Sequence, residues 1–112
     1  MVKIEDNNIY LTRGDTVTFD LELLDEDDEP YVMSSDEYIV FSLRRLYGKG
    51  KVLLTIQSDT PSFSLSTDDT KDLTFGEYMY DVYLMNESDN SLNTFIADKK
   101  FYIGEEVHDF AD

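Results

Sequence analysis

The chain has no cysteine, one histidine, and nine lysines and arginines against 25 aspartates and glutamates. The missing cysteines exclude a disulfide framework and thiolate zinc sites. Nucleophilic catalysis has little to draw on. There is no Gly-x-Ser-x-Gly, no phosphate-cradling glycine loop, and the single histidine, His108, stands close to the C-terminus. Paired carboxylates are plentiful in so acidic a chain, and their abundance makes them uninformative about glycoside hydrolysis. No apolar run approaches membrane-spanning length, and Met1 to Asp6 holds an acidic pair where a signal peptide needs an apolar core. A soluble product made in a cytoplasm, without a membrane partner, is expected. The formal net charge of -16 repels phosphate backbones, so no nucleic-acid partner is expected either.

What is present is a packable core. The 112 residues are 41% hydrophobic and 13% aromatic, a composition that folds rather than staying disordered, with the acids as solvated surface. A chain of this size buries roughly two thirds of the surface its unfolded form exposes, with no metal or cofactor required. One domain over residues 1–104 is expected, followed by a flexible tail at 105–112.

The dominant periodicity is two. Tyr78, Tyr80, Val82 and Leu84 alternate with Glu77, Met79, Asp81 and Tyr83, which predicts a central strand entered through a turn at Gly76. The tyrosines there can bury their rings while each hydroxyl finds a partner at the sheet end. Val17, Phe19, Leu21 and Leu23 alternate with Thr18, Asp20 and Glu22, predicting a half-buried strand over 16–23. Ile39, Phe41 and Leu43 predict a third long strand. Residues 46–51, with two glycines, predict a hairpin tip before a return strand whose Val52, Leu54 and Ile56 face inward.

Shorter strands are expected at Ile9–Leu11, Tyr31–Met33, Phe63–Leu65, Leu92–Ala97 and Lys99–Ile103. The one helical turn is expected near residues 68–73, capped by Thr67 or Asp68 with Leu73 plugging the core. Strands separated by regular turn signals predict an all-β fold, an antiparallel β-sandwich of immunoglobulin-like type.

Three features invite a chemical reading. Arg13-Gly14-Asp15 is the tripeptide of integrin ligands, but Gly14 and Asp15 before a strand are also ordinary turn chemistry. The run Asp25, Glu26, Asp27, Asp28, Glu29 offers carboxylates to a hard cation. It lacks the glycine and terminal glutamate of the helix-loop-helix calcium motif, and a solvated loop is the simpler expectation. Asp81 has the look of a catalytic acid, and a structural hydrogen bond to a neighbouring loop is expected instead.

Charge is also unevenly placed. Arg44, Arg45, Lys49 and Lys51 cluster at one hairpin, while Asp25, Asp27 and Asp28 concentrate the opposite sign, which would allow head-to-tail contact between copies in a homo-oligomer.

The segments Ile9 to Thr16, Pro30-Tyr31, Ile39 to Arg44 and Asp69 to Val82 together resemble a group of short β-sandwich proteins and domains encoded by phages and prophages of Gram-positive bacteria. The group includes the N-terminal domain of the upper baseplate protein of lactococcal siphophages. The Thr-Arg-Gly-Asp-Thr turn and the Gly-x-Tyr-x-Tyr-Asp-Val strand carry most of the similarity. It implies a non-enzymatic virion structural protein, made in the bacterial cytoplasm and bound to other virion proteins of the baseplate, tail, neck or capsid. It also implies that Arg13-Gly14-Asp15 belongs to an ordinary turn. The alternatives left by the residues are a calcium-dependent adhesion or carbohydrate-binding domain and a small glycan-processing enzyme.

Overall fold

The computed structural model describes residues 2–45 and 51–104. The expected hairpin tip with Lys49, and the 105–112 tail, lie outside them. The described chain forms β1 (Val2–Glu5), β2 (Asn8–Thr12), β3 (Val17–Asp20), β4 (Glu37–Arg45), β5 (Val52–Ser58), β6 (Ser62–Leu65), α1 (Thr67–Thr70), β7 (Gly76–Asn86) and β8 (Leu92–Gly104). Six strands make one sheet in the order β1-β2-β8-β7-β4-β5, and β3 with β6 makes a separate ribbon. The fold is all-β.

β7 lies inside the large sheet, with β8 on one side and β4 on the other. Its Tyr78, Tyr80, Val82 and Leu84 are all buried, as the alternation requires. They share the inner face with Ile39, Phe41 and Leu43 of β4 and with Phe101 and Ile103 of β8. Gly76 enters the strand at φ +136, a backbone conformation that L side chains rarely adopt. The Tyr78 hydroxyl donates to the Thr74 carbonyl at 2.7 Å, and the Tyr80 hydroxyl donates to the Asn7 carbonyl.

One ladder corrects the expectation of a wholly antiparallel sheet. β2 runs parallel to β8, with Ile9 opposite Phe101 and Leu11 opposite Ile103. Ile9 and Leu11 are buried in that register, and a slip of one residue would turn both to solvent. β1, which the sequence reading missed, pairs back on β2 through Asp6 and Asn7, at φ 52 and φ 65. Both central residues at positive φ make a two-residue turn whose twist suits a hairpin.

The ribbon lies over the inner face. Phe19 faces Phe63 across it, with ring centroids 5.1 Å apart, and Phe63 stacks on Phe41 of the large sheet at 4.9 Å. Phe41 in turn meets Tyr80 at 5.5 Å and Phe101 at 6.0 Å, so one chain of rings joins the two sheets.

Several expected elements differ in detail. β3 stops at Asp20 rather than Leu23, because Leu23 and Leu24 turn to meet Pro30 and Tyr31 around the acidic loop. Tyr31 to Met33 forms no strand, and Val32 is 85% exposed. Val52 is half exposed rather than inward. A register shift pairs Arg44 with Val52 after Leu43 with Leu54, which leaves Leu53 as the extra residue and reverses the facing beyond it. β8 is one strand rather than two. The helical turn starts earlier than expected, with Ser66 at its N-cap and the Asp69 carboxylate accepting the Ser66 N–H at 2.7 Å. Leu73 packs against the core as expected, though only partly buried, and Thr70 is the fully buried residue of the turn.

Thr70 also secures the Arg-Gly-Asp turn. The Gly14 N–H donates to Thr70 Oγ1 at 3.0 Å, and the Thr67 hydroxyl donates to the Gly14 carbonyl at 2.7 Å. Gly14 takes φ +87 there, and Asp15 closes the turn by donating its N–H to the Thr12 carbonyl at 3.1 Å. The Arg13 guanidinium lies 4.1 Å from the centre of the Phe75 ring and donates to the Leu73 carbonyl.

Truncating the ring that joins the sheets should be severe. Phe63→Ala is expected to cost about 3–5 kcal/mol in urea denaturation. Phe63→Leu, which keeps most of the apolar volume, should cost clearly less.

Candidate functional site

The ribbon covers only part of the inner face. Beside it a cleft of about 550 Å³ has Ile9, Tyr80, Val82 and Ile96 on the large sheet, Phe19 and Phe63 on the ribbon, and residues 21–24 of the chain that follows β3. The Tyr80 hydroxyl closes one end against the Asn7 carbonyl, and burial pushes its pKa up to about 12. It stays a neutral donor across the physiological range.

Two register slips in β8 shape the far wall. Tyr80 faces Lys99 and Val82 faces Ile96, so Ala97 and Asp98 together oppose Asp81. Tyr83 then faces Thr94, which leaves Phe95 as a second extra residue. Regular alternation would send Phe95 and Ile96 to opposite faces. Here both pack against the core and both line the cleft.

Asp81 stabilises the bulge. Its Oδ1 accepts the Asp98 N–H at 2.8 Å while Oδ2 accepts from the Arg44 guanidinium, which also reaches the Asp98 carboxylate. Asp98 sits at φ 54, so the hydrogen bond holds a backbone conformation that a regular ladder would not. Asp81 thus makes a structural hydrogen bond, to a bulge within β8 rather than to the loop that was expected, and Arg44 is committed to it on the outer face of the sheet. Of the basic cluster, Arg45 and Lys51 are exposed and Lys49 lies outside the described residues.

The acidic loop adjoins the cleft. A second hollow shares Leu24 and Phe95 with it and is lined by Asp25, Glu26 and Asp27. Asp25 Oδ1 accepts the N–H groups of Asp27 at 2.8 Å and Glu29 at 3.0 Å, and Asp28 takes φ 60. This carboxylate organises its own turn. Among the described residues, no group of three or more histidine, aspartate or glutamate side chains is arranged to hold a metal ion. The loop borders residues 93–95, opposite the Tyr83–Leu84 end of β7, whereas Arg45 faces Tyr78. The two charge clusters thus lie roughly 20 Å apart along the strand, at ~3.3 Å per residue.

Glu37, which the sequence reading passed over, anchors the strap that follows the loop. Its carboxylate accepts the Ser34 N–H at 2.8 Å and the Tyr31 hydroxyl at 2.6 Å. These bonds, the backbone donor first, hold its pKa below the ordinary value, against the opposing effect of burial. Tyr31 in turn sets its ring 6.4 Å from Phe95. A lone glutamate at the start of an apolar strand was the only trace of this in the sequence.

Compared with protein-family models, curated proteins and solved structures, the chain matches none of them.

Two consequences are measurable. Asp81→Ala should destabilise the fold by about 1–3 kcal/mol in chemical denaturation, with Asp81→Asn milder because its amide oxygen can still accept the Asp98 N–H. Glu37 has a lowered folded pKa, so its contribution is complete above the unfolded value near 4.5 and disappears as pH falls through the folded value. The stability difference between the native chain and Glu37→Gln, about 1–2 kcal/mol at neutral pH, should shrink as the solution is acidified.

Proposed function

We propose that this chain is a non-catalytic protein-interaction module of a phage or prophage particle, in which the ribbon and the large sheet form an immunoglobulin-like sandwich with one reduced layer. The observation that carries the reading is the kind of chemistry the sheets leave uncommitted. Open strand edges, an apolar cleft between the layers and an acidic rim suit the recognition of another polypeptide. The likeness of Thr12 to Thr16 and of Gly76 to Val82 to phage sandwich domains supports the same reading. A net charge of -16 steers the module toward basic protein surfaces and away from nucleic acid.

Head-to-tail assembly through Arg44, Arg45, Lys49 and Lys51 is the weaker form of this proposal, because Arg44 already pairs with Asp81 and Asp98. Other virion proteins are the better partners.

Particles induced from the bacterium that carries the gene provide the test. Mass spectrometry of purified particles should find this chain at a fixed ratio to the major structural proteins. Its confinement to the particle-free lysate would overturn the proposal.

A further inference from the structure

We infer that the cleft beside β3 receives an extended segment of a partner protein, which adds to the ribbon as its third strand and alternates apolar with basic side chains. The inference rests on the interaction-module reading and supplies its contact surface.

The backbone of β3 points to this. Leu21 donates its N–H to the Pro61 carbonyl at 2.7 Å, so the groups of Leu21 face β6. In an antiparallel pair the facing alternates, which turns the N–H and C=O of Thr18, Asp20 and Glu22 to the opposite edge. No strand among the described residues pairs with that edge. The cleft reaches it from beneath the ribbon, since Phe19 and Phe63 line its inner end and the exposed Asp20 and Glu22 line its mouth.

The chemistry of the occupant follows from the two sides of that edge. Side chains of an added strand that point inward meet the accessible Ile4, Phe95 and Ile96, and apolar residues suit them. Those that point outward stand beside the exposed Asp20 and Glu22, with Asp25, Glu26 and Asp27 next along the rim. The Ser62 hydroxyl donates to one oxygen of Asp20 at 2.9 Å and leaves the other for a cation. Lysine or arginine at every second position complements this rim. A second copy of this chain is the poorer occupant, since each copy brings the same charge of -16.

The test uses a synthetic seven-residue peptide alternating valine and lysine, beside one of the same composition with the valines and lysines in separate blocks. Hydrogen exchange on the full chain should show the amides of Thr18, Asp20 and Glu22 exchanging freely alone and slowing at least tenfold with the alternating peptide. Glu22→Pro removes an outward N–H that serves no described strand, and it should weaken binding at least tenfold. Glu22→Lys should weaken it at low salt.

Equal binding of both peptides without protection at the three amides would reduce the effect to charge attraction and overturn the inference. Slow exchange at these amides in a peptide-free dimer would overturn it in favour of a second copy. A small apolar dye that fills the cleft while the peptide leaves exchange unchanged would also overturn it. Particle association with no peptide effect would remove this surface and keep the module. Peptide addition without particle association would do the reverse.

Discussion

Among the described residues the two sheets share no backbone ladder, so their association depends on buried apolar side chains with a chain of aromatic rings at the centre. Phe63 touches Phe19 within the ribbon and Phe41 across the gap, and Phe41 reaches Tyr80 and Phe101. Such contacts are apolar and fix position less tightly than hydrogen bonds. They need only the stretch over β4, β7 and β8 to be covered. Beside β3 the cover thins, leaving Ile4, Phe95 and Ile96 accessible, and the cleft is the space that a two-stranded layer leaves over a six-stranded sheet.

β8 turns that space into a shaped site. With regular alternation it would present one of Phe95 and Ile96 inward and send the other to the outer face. The slips opposite Asp81 and Tyr83 bring both to the cleft. Asp81 makes this geometry affordable by accepting the Asp98 N–H on one oxygen and the Arg44 guanidinium on the other. A carboxylate with the appearance of a catalytic acid thus has a structural task, and the apolar wall it supports belongs to the proposed contact surface.

The acidic residues divide into two kinds. Asp25, Asp81 and Glu37 each hold backbone N–H groups, so their charge is tied to local architecture. Asp20, Glu22, Glu26 and Asp27 are exposed around the cleft and set the field that a partner meets. The excess of acid over base therefore contributes both to loop structure and to partner choice, through different residues.

The sequence by itself determined the all-β class, the central strand with Tyr78, Tyr80, Val82 and Leu84 inward, the turns at Gly14 and Gly76, and the short strand at Phe63–Leu65. Period-two alternation and glycine at positive φ are local properties that neighbouring residues encode directly. Only the tertiary structure decided the parallel pairing of β2 with β8, the inversion at Val52, the bulge held by Asp81, the anchoring role of Glu37 and the open edge of β3. Each depends on register between segments far apart in the chain, where a shift of one residue changes which face or which backbone group is presented. The cleft was invisible for the same reason. Its walls come from β1, β2, β3, β6, β7 and β8, and alternation within any one of them carries no record of which neighbour is missing.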